Sequence, residues 1–306
     1  MEEKTGRGAR HGADAVKTDL ECLPCFFRQI TRTLGYAGVN GDRGRSILRR
    51  AEAIIEAASF DQAPARITTL LHRLMRQETG VDPYKQVKDA YNRIALEKLP
   101  SLRHMAGAAS PSRSSGRDPL EAGVRLAIAG NVIDFGIYEN VDLDRSIQES
   151  FHLPLPPADY LEFSVAVQES HKILYLCDNA GEIVFDRVLI EVLRDRGKDV
   201  TAAVKGMPVI NDATREDAAA AGLAESAARV IDNGNDGIGT LLEACSEEFM
   251  DAYRSADVVI SKGQANYETL VQERRKKIFF LFKVKCPVVA RNLSRPEGDI
   301  VLMGNE

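Results

Sequence analysis

The sequence predicts an α/β protein, with a helical N-terminal domain over residues 1–165 and a three-layer α/β domain over residues 166–306 built on a mostly parallel, mixed sheet. Three observations lead there. The first half carries helical periodicity and no strand-like runs. After about residue 165, short apolar runs alternate with amphipathic helical stretches. The last two apolar runs are joined by a link too short for a crossover helix, which requires an antiparallel strand.

In the first half, "RGRSILRRAEAIIEAAS" and "DPYKQVKDAYNRIALEKL" read as helices. The second has Asp82 as N-cap, Pro83 at the first helical position and Leu99 ahead of a stop at Pro100. Residues 107–119, "GAASPSRSSGRDP", have no periodicity and read as an exposed, mobile loop. The next helix starts at Asp118 as cap, with Pro119 first and Glu121 in the opening turn. Its stripe of Leu120, Val124 and Ala127 turns polar at Asn131 and Asp134. Two readings stand for that pair: lining a cleft, or satisfying backbone at a helix end.

In the second half the strand and helix pairs are "HKILYLC" with "EIVFDRVLIEVLRDRG", "DVTAAVKG" with "DATREDAAAAG", "ARVIDNG" with "LLEACSEEFMDAYRSA", and "DVVISKG" with "YETLVQERRK". The closing runs are "KIFFLFKVKCPVVA" and "DIVLMG", with "RNLSRPEG" between them.

Composition excludes several classes. The 306 residues include 45 acidic and 40 basic ones, a formal charge of −5, so no global basic field is present to hold nucleic acid or an anionic membrane. No stretch approaches the roughly 20 apolar residues of a membrane span, and the first residues lack the apolar core of a signal peptide. The expectation is a cytoplasmic protein whose partner is a small molecule. Five cysteines, an odd number, argue against a disulfide framework. Cys22 and Cys25 have the spacing of half a zinc site without a second half, and read as packing or redox-sensitive thiols ahead of a structural metal.

Ligands of open α/β sheets sit outside the carboxyl ends of the strands. Here those ends carry Asp178 and Asn179, Lys205 followed by Asn211 and Asp212, Asp232 and Asn233, and Lys262 and Gly263. No G-x-G-x-x-G follows the first strand and no Walker A loop is present, which disfavours dinucleotide and P-loop chemistry. Carboxylates and amide oxygens are hard donors suited to Mg²⁺ or Mn²⁺, and lysines can hold phosphate. The competing reading makes Asp178 or Asn179 the cap of the helix from Glu182, and Asp212 or Thr214 the cap of the next.

"CDNAGEIVFDRVLIE", "VKGMPVINDATREDA" and "ISKGQANYETL", with "RLAIAGNVIDFG" and "CLPCFFRQ" upstream, resemble the damage-control phosphatase family in its prokaryotic branch, which carries an N-terminal cysteine pair. The resemblance spans Cys22 to Leu270. It implies a helical region over an α/β domain and metal-dependent removal of phosphate from small phosphorylated metabolites. It places the metal ligands on Asp178, Asn179 and Asp212, and adds weight to Asn131. The eukaryotic branch's terminal Arg-Thr-x-Lys signature is missing, with Lys262 as the closest stand-in.

The resulting expectation is a phosphatase for phosphomonoesters such as sugar phosphates or damaged cofactor intermediates, using Mn²⁺, Co²⁺, Ni²⁺ or Mg²⁺. Asp178, Asp212 and Lys262 are its catalytic candidates. Asn131, Asp134, Glu182, Lys205, Asn211 and Lys262 are its substrate-contact candidates. The alternatives are a non-catalytic phosphometabolite binder and, with less support because the first turn lacks glycines, a methyltransferase.

Overall fold

Helical periodicity in the first half becomes a run of helices before any strand. The structure, a computed structural model, describes residues 14–107, 118–132 and 143–305. Helices α1 (Leu23–Tyr36), α2 (Gly41–Ala57) and α3 (Pro64–Thr79) pool Phe26, Ile30, Ile47, Ala51, Ile67 and Leu71 into one core. Proline in the first turn of α1 and of α3 supplies a preset φ where no N–H is needed.

Helix α4 (Lys85–Met105) corrects two expectations. Asp82 accepts a hydrogen bond from the Tyr84 N–H at 2.9 Å, yet the helix begins only at Lys85. It also runs through Pro100, because Leu99 and Leu102 on either side are buried in the main core and outweigh the one lost backbone bond.

His72 on α3 is buried, with its ring centroid 6.3 Å from that of Tyr84. Burial first, and the Arg76 charge second, lower its pKa to about 4 from 6.5. The unfolded chain therefore takes up this proton as pH falls through 6.5, while the folded chain does so only near 4. Stability contributed by the neutral ring should fall across that window by roughly 3 kcal/mol. Urea denaturation at pH 7 and pH 4.5 is expected to show a smaller acid loss in His72→Gln than in the parent. Equal losses would show that this ring does not titrate as stated.

Helix α5 (Pro119–Val132) starts as expected, with Asp118 Oδ1 accepting the Leu120 N–H at 3.2 Å. It is not striped, however. Leu120, Ala122, Val124, Arg125, Leu126, Ala127, Ile128, Ala129 and Asn131 are all buried. Its neighbours are α6 (Leu143–His152), the sheet, and α8 (Glu182–Asp195). At Gly130 a Cβ would lie 2.9 Å from Phe185 Cβ, so only glycine permits this approach to α8. Asp134 and most of the 107–119 segment lie outside the described residues.

After α7 (Pro157–Glu169) the sheet begins. Its strands are β1 (Lys172–Leu176), β2 (Asp199–Val204), β3 (Arg229–Asp232), β4 (Val258–Lys262), β5 (Ile278–Lys283) and β6 (Ile300–Gly304), in the order β3-β2-β1-β4-β5-β6. Pairings among β1 to β5 are parallel, and β6 runs antiparallel to β5, with Leu281 opposite Leu302. Alternate residues face opposite helix layers. Ile173 and Tyr175 join α5 and α8 on one side, while Leu174 and Leu176 meet α11 (Glu247–Ser255) and α12 (Gln264–Leu270) on the other. That is the expected three-layer, mostly parallel mixed sheet.

Two details differ. The final stretch of "KIFFLFKVKCPVVA" is α13 (Pro287–Leu293), because Pro287 has no N–H for a ladder and suits a first helical turn. In "LLEACSEEFMDAYRSA" the helix starts at Glu247, where Ser246 Oγ accepts the Phe249 N–H at 3.3 Å. The change from helices to strands falls between Glu169 and Lys172, while the main core runs from Tyr91 to Leu302 and so draws α4 and α5 into the same packing as the sheet. No helix of the described residues is long and apolar enough to cross a membrane.

Candidate active site

The sheet reverses its winding between β1 and β4, and a crevice opens there at the carboxyl ends of the strands. Asp178 and Asn179 follow β1. Asp212 follows β2 in a loop that is zipped onto them: the Ala180 N–H donates to Asn211 C=O at 2.9 Å, and the Ala213 N–H donates to Asp178 C=O at 2.8 Å. Asn179 and Asp212 thereby form an isolated antiparallel bridge. Asn92 of α4 pins both corners. Its Oδ1 accepts the Gly181 N–H at 2.7 Å, and its Nδ2 donates to Asp217 Oδ1 at 3.0 Å. Asp217 Oδ2 in turn accepts the Thr214 N–H at 2.9 Å.

Neither acidic corner caps a helix. Gly181 is the N-cap of α8, without a side-chain bond, and Thr214 is the N-cap of α9 (Arg215–Ala220). Of the two readings open for Asp178, Asn179 and Asp212, capping is therefore not the one observed.

The carboxylates are held close by amides. Asp178 Oδ2 accepts from Asn131 Nδ2 at 3.1 Å and from Asn179 Nδ2 at 2.8 Å. Glu182 Oε2 accepts from the same two nitrogens at 3.0 and 2.9 Å. Asn131 is itself oriented by the Lys283 N–H, which donates to its Oδ1 at 3.2 Å. Asn131 and Glu182 thus stand beside Asp178.

Burial, with crowded negative charge behind it, sets the protonation. Burial, then the Glu182 and Asp212 charges, push Asp178 well above the usual carboxylate range, with Lys285 and Lys205 opposing. Burial also raises Asp212, against Lys205. For Glu182 burial is outweighed by Lys262 and Lys285, and its pKa is lowered. Asp212 Oδ2 is buried without accepting a hydrogen bond, and lies 3.5 Å from Lys205 Nζ, an ion-pair distance only.

These residues fit a hard divalent cation. A positive ion would offset the burial and repulsion that together raise Asp178, and would add a partner to the Asp212 oxygen that has an ion pair but no hydrogen bond. Among the described residues no three His, Cys, Asp or Glu side chains converge to hold a metal by themselves. A cation here would draw on the two aspartates plus the Asn179 amide oxygen, which is the donor set the resemblance implied.

The lysines differ from the expectation. Lys262 is fully buried, and its ammonium donates to Glu182 Oε1 at 2.7 Å, Asp186 Oδ1 at 2.5 Å and Ala127 C=O at 2.8 Å. With its three protons engaged, it orients Glu182 from behind and does not reach a phosphate in the crevice. Lys205 is buried against Asp212 and donates to Gly239 C=O. Asn211 lines the crevice.

Sequence reasoning missed Lys283 and Lys285, which line the crevice at and just past the end of β5 but sat inside a run read as one strand. It also missed Asn92, the Lys262 partner Asp186, and Tyr175, whose OH donates to Asp186 Oδ1 at 2.7 Å. Spacing could have exposed Asp186, one turn after Glu182 on the same helix.

An open cleft of about 730 Å³ covers the Asn131, Asn179 and Glu182 surface. A second, of about 290 Å³, adjoins it and reaches Asp178, Asp212, Cys25 and the buried Cys22. Burial pushes the Cys22 thiol up to about 11.

Gly263, after β4, makes the crevice possible. Its φ is +81°, and a Cβ there would stand 2.0 Å from Asp178 Oδ2. Gly263→Ala is expected to displace this carboxylate and lower kcat/KM roughly 100-fold, the scale of a 1 Å misplacement. Steady-state kinetics beside a melting curve would check it, and near-normal kcat/KM would mean that the Asp178 position is not critical.

Residues 18–301 match the family described as the damage-control phosphatase ARMT1-like domain. The chain belongs to this family. Damage-control phosphatase relatives include one from Pyrococcus horikoshii, 36% identical over 95% of this chain and 99% of its own length. Another, from Archaeoglobus fulgidus, is 32% identical over 81% of this chain and 85% of its own. An uncharacterised protein of Methanocaldococcus jannaschii is 38% identical over 96% and 97%. The crystal structure of a DUF89 family protein from Pyrococcus horikoshii superposes with a TM-score of 0.85 at 35% identity, covering 95% of this chain and 99% of that one. The damage-control phosphatase resemblance noted in the sequence is thus borne out over nearly the whole chain.

Proposed function

We propose that this damage-control phosphatase family member is a divalent-metal-dependent hydrolase of small phosphomonoesters, working at the β1–β4 crevice. The observation that carries this reading is the pair of zipped corners that sets Asp178 beside Asp212 with one buried carboxylate oxygen lacking a hydrogen bond. Asp178, Asp212 and the Asn179 amide oxygen would hold the ion. When bound, it supplies Lewis-acid polarisation of phosphoryl oxygens and acidifies water.

The protein's own residues do the remaining work. Lys285 faces the carboxylate floor and, with Lys283, attracts the phosphate. Asn131 and Asn179 keep Asp178 and Glu182 from swinging apart. Lys262 keeps Glu182 ionised and aimed at the cleft. Binding in the crevice holds the ester in line for attack, the main requirement of phosphoryl transfer.

The test is release of inorganic phosphate from p-nitrophenyl phosphate by EDTA-treated protein, before and after adding Mn²⁺, Co²⁺, Ni²⁺ or Mg²⁺. Activity restored by a divalent ion is expected. Full activity in EDTA would overturn the metal requirement, and binding of phosphate esters without release under any ion would make the protein a binder.

A further inference from the structure

The cleft holds more positive charge than one phosphate needs. Four cationic side chains line it: Arg28 and Arg32 from α1, Lys283 at the end of β5 and Lys285 just after it. None of the four has a carboxylate partner within ion-pair distance among the described residues, and the lining carboxylates are Glu182, already paired with Lys262, and Glu297. Arg28 and Arg32 are one helical turn apart and present the same face of α1.

The cations fall into two groups. Lys285 also lines the adjoining cavity that reaches Asp178 and Asp212. Arg28 and Arg32 line the wider cleft beside Tyr84 and do not line the cavity at Asp178 and Asp212. A phosphomonoester brings a charge near −2 at neutral pH, which the floor and the lysines already accommodate. The outer pair of guanidiniums, suited to bidentate recognition of phosphate or carboxylate, is left over. The volume of about 730 Å³ accommodates a metabolite rather than a bare phosphate.

We infer that the substrate is a phosphomonoester bearing a second anionic group, a phosphate or carboxylate several bonds from the scissile one, which Arg28 and Arg32 hold at the outer end of the cleft. This rests on the phosphatase reading only for what happens to the first phosphate.

Calorimetric titration of the EDTA-treated full chain with glucose 6-phosphate, glucose 1,6-bisphosphate and 6-phosphogluconate reads binding without turnover. At least one doubly anionic ligand should bind about ten-fold more tightly than glucose 6-phosphate, the scale of one charge-assisted contact. An advantage confined to the bisphosphate identifies a second phosphate, and one confined to 6-phosphogluconate identifies a carboxylate. In Arg28→Gln with Arg32→Gln, two exposed positions whose replacement leaves the α1 core intact, that advantage should disappear. Equal affinities in the parent, or an advantage that survives the double substitution, would overturn the inference. Phosphate release is measured separately, so a retained preference without release would count against the phosphatase reading and for this one.

Discussion

Asp212→Asn is expected to remove most phosphate release and to weaken Mn²⁺ binding by at least one order of magnitude, comparable to the roughly 10–100-fold losses produced even by changes beside a metal ligand. The substitution keeps size and hydrogen-bonding capacity and removes one charge. It cannot act through a lost cap, because Thr214 serves α9. Asp178→Asn should behave alike, since Gly181 serves α8.

A second readout separates ligand loss from damage to the fold. Like charges crowd Asp178, so in EDTA Asp178→Asn should melt no lower than the parent, while the rise in melting temperature on adding Mn²⁺ is lost. Normal Mn²⁺ affinity and turnover in either variant would rule out a cation shared by the two aspartates.

Lys262→Met should cost about 3–5 kcal/mol of stability, the usual consequence of removing one member of a buried ion pair. Glu182 and Asp186 would both remain buried, the first with its Lys262 contact gone and the second already raised to about 6 by burial despite that lysine. Adding Asp186→Asn to Lys262→Met should recover part of the loss by removing one unpaired charge. Urea denaturation measures both, and a loss below about 1 kcal/mol would mean that Lys262 is not the counter-charge described.

Much of the site was legible because strand-end residues are local in sequence. Asp178, Asn179, Asp212 and Glu182 all fall within a few residues of a period change, and a parallel sheet gathers such places at one edge. What sequence could not supply was depth. Lys262 reads as a phosphate-holding lysine at a strand end, and only the packing of α5 and α8 above β4 turns its ammonium inward. The apolar run around Lys283 and Lys285 hid its own break, because a strand and a short apolar helix share the same composition until the proline at 287 is weighed. Asn92 left no trace at all: its partners lie 89 and 125 positions away.

The all-round burial of α5 bears on how the chain can be assembled or divided. A helix with no wet face has no soluble resting place before α8 and the sheet exist, and Gly130 can meet Phe185 only in the finished layer. The helical half and the strand half are therefore expected to unfold in one cooperative transition, and a cut between residues 165 and 166 should yield two sticky fragments that regain structure only when mixed. The crevice, whose floor takes Asn131 from one fragment and Asp178 from the other, would appear only on their reunion, so recovered catalysis would report complementation of the entire molecule.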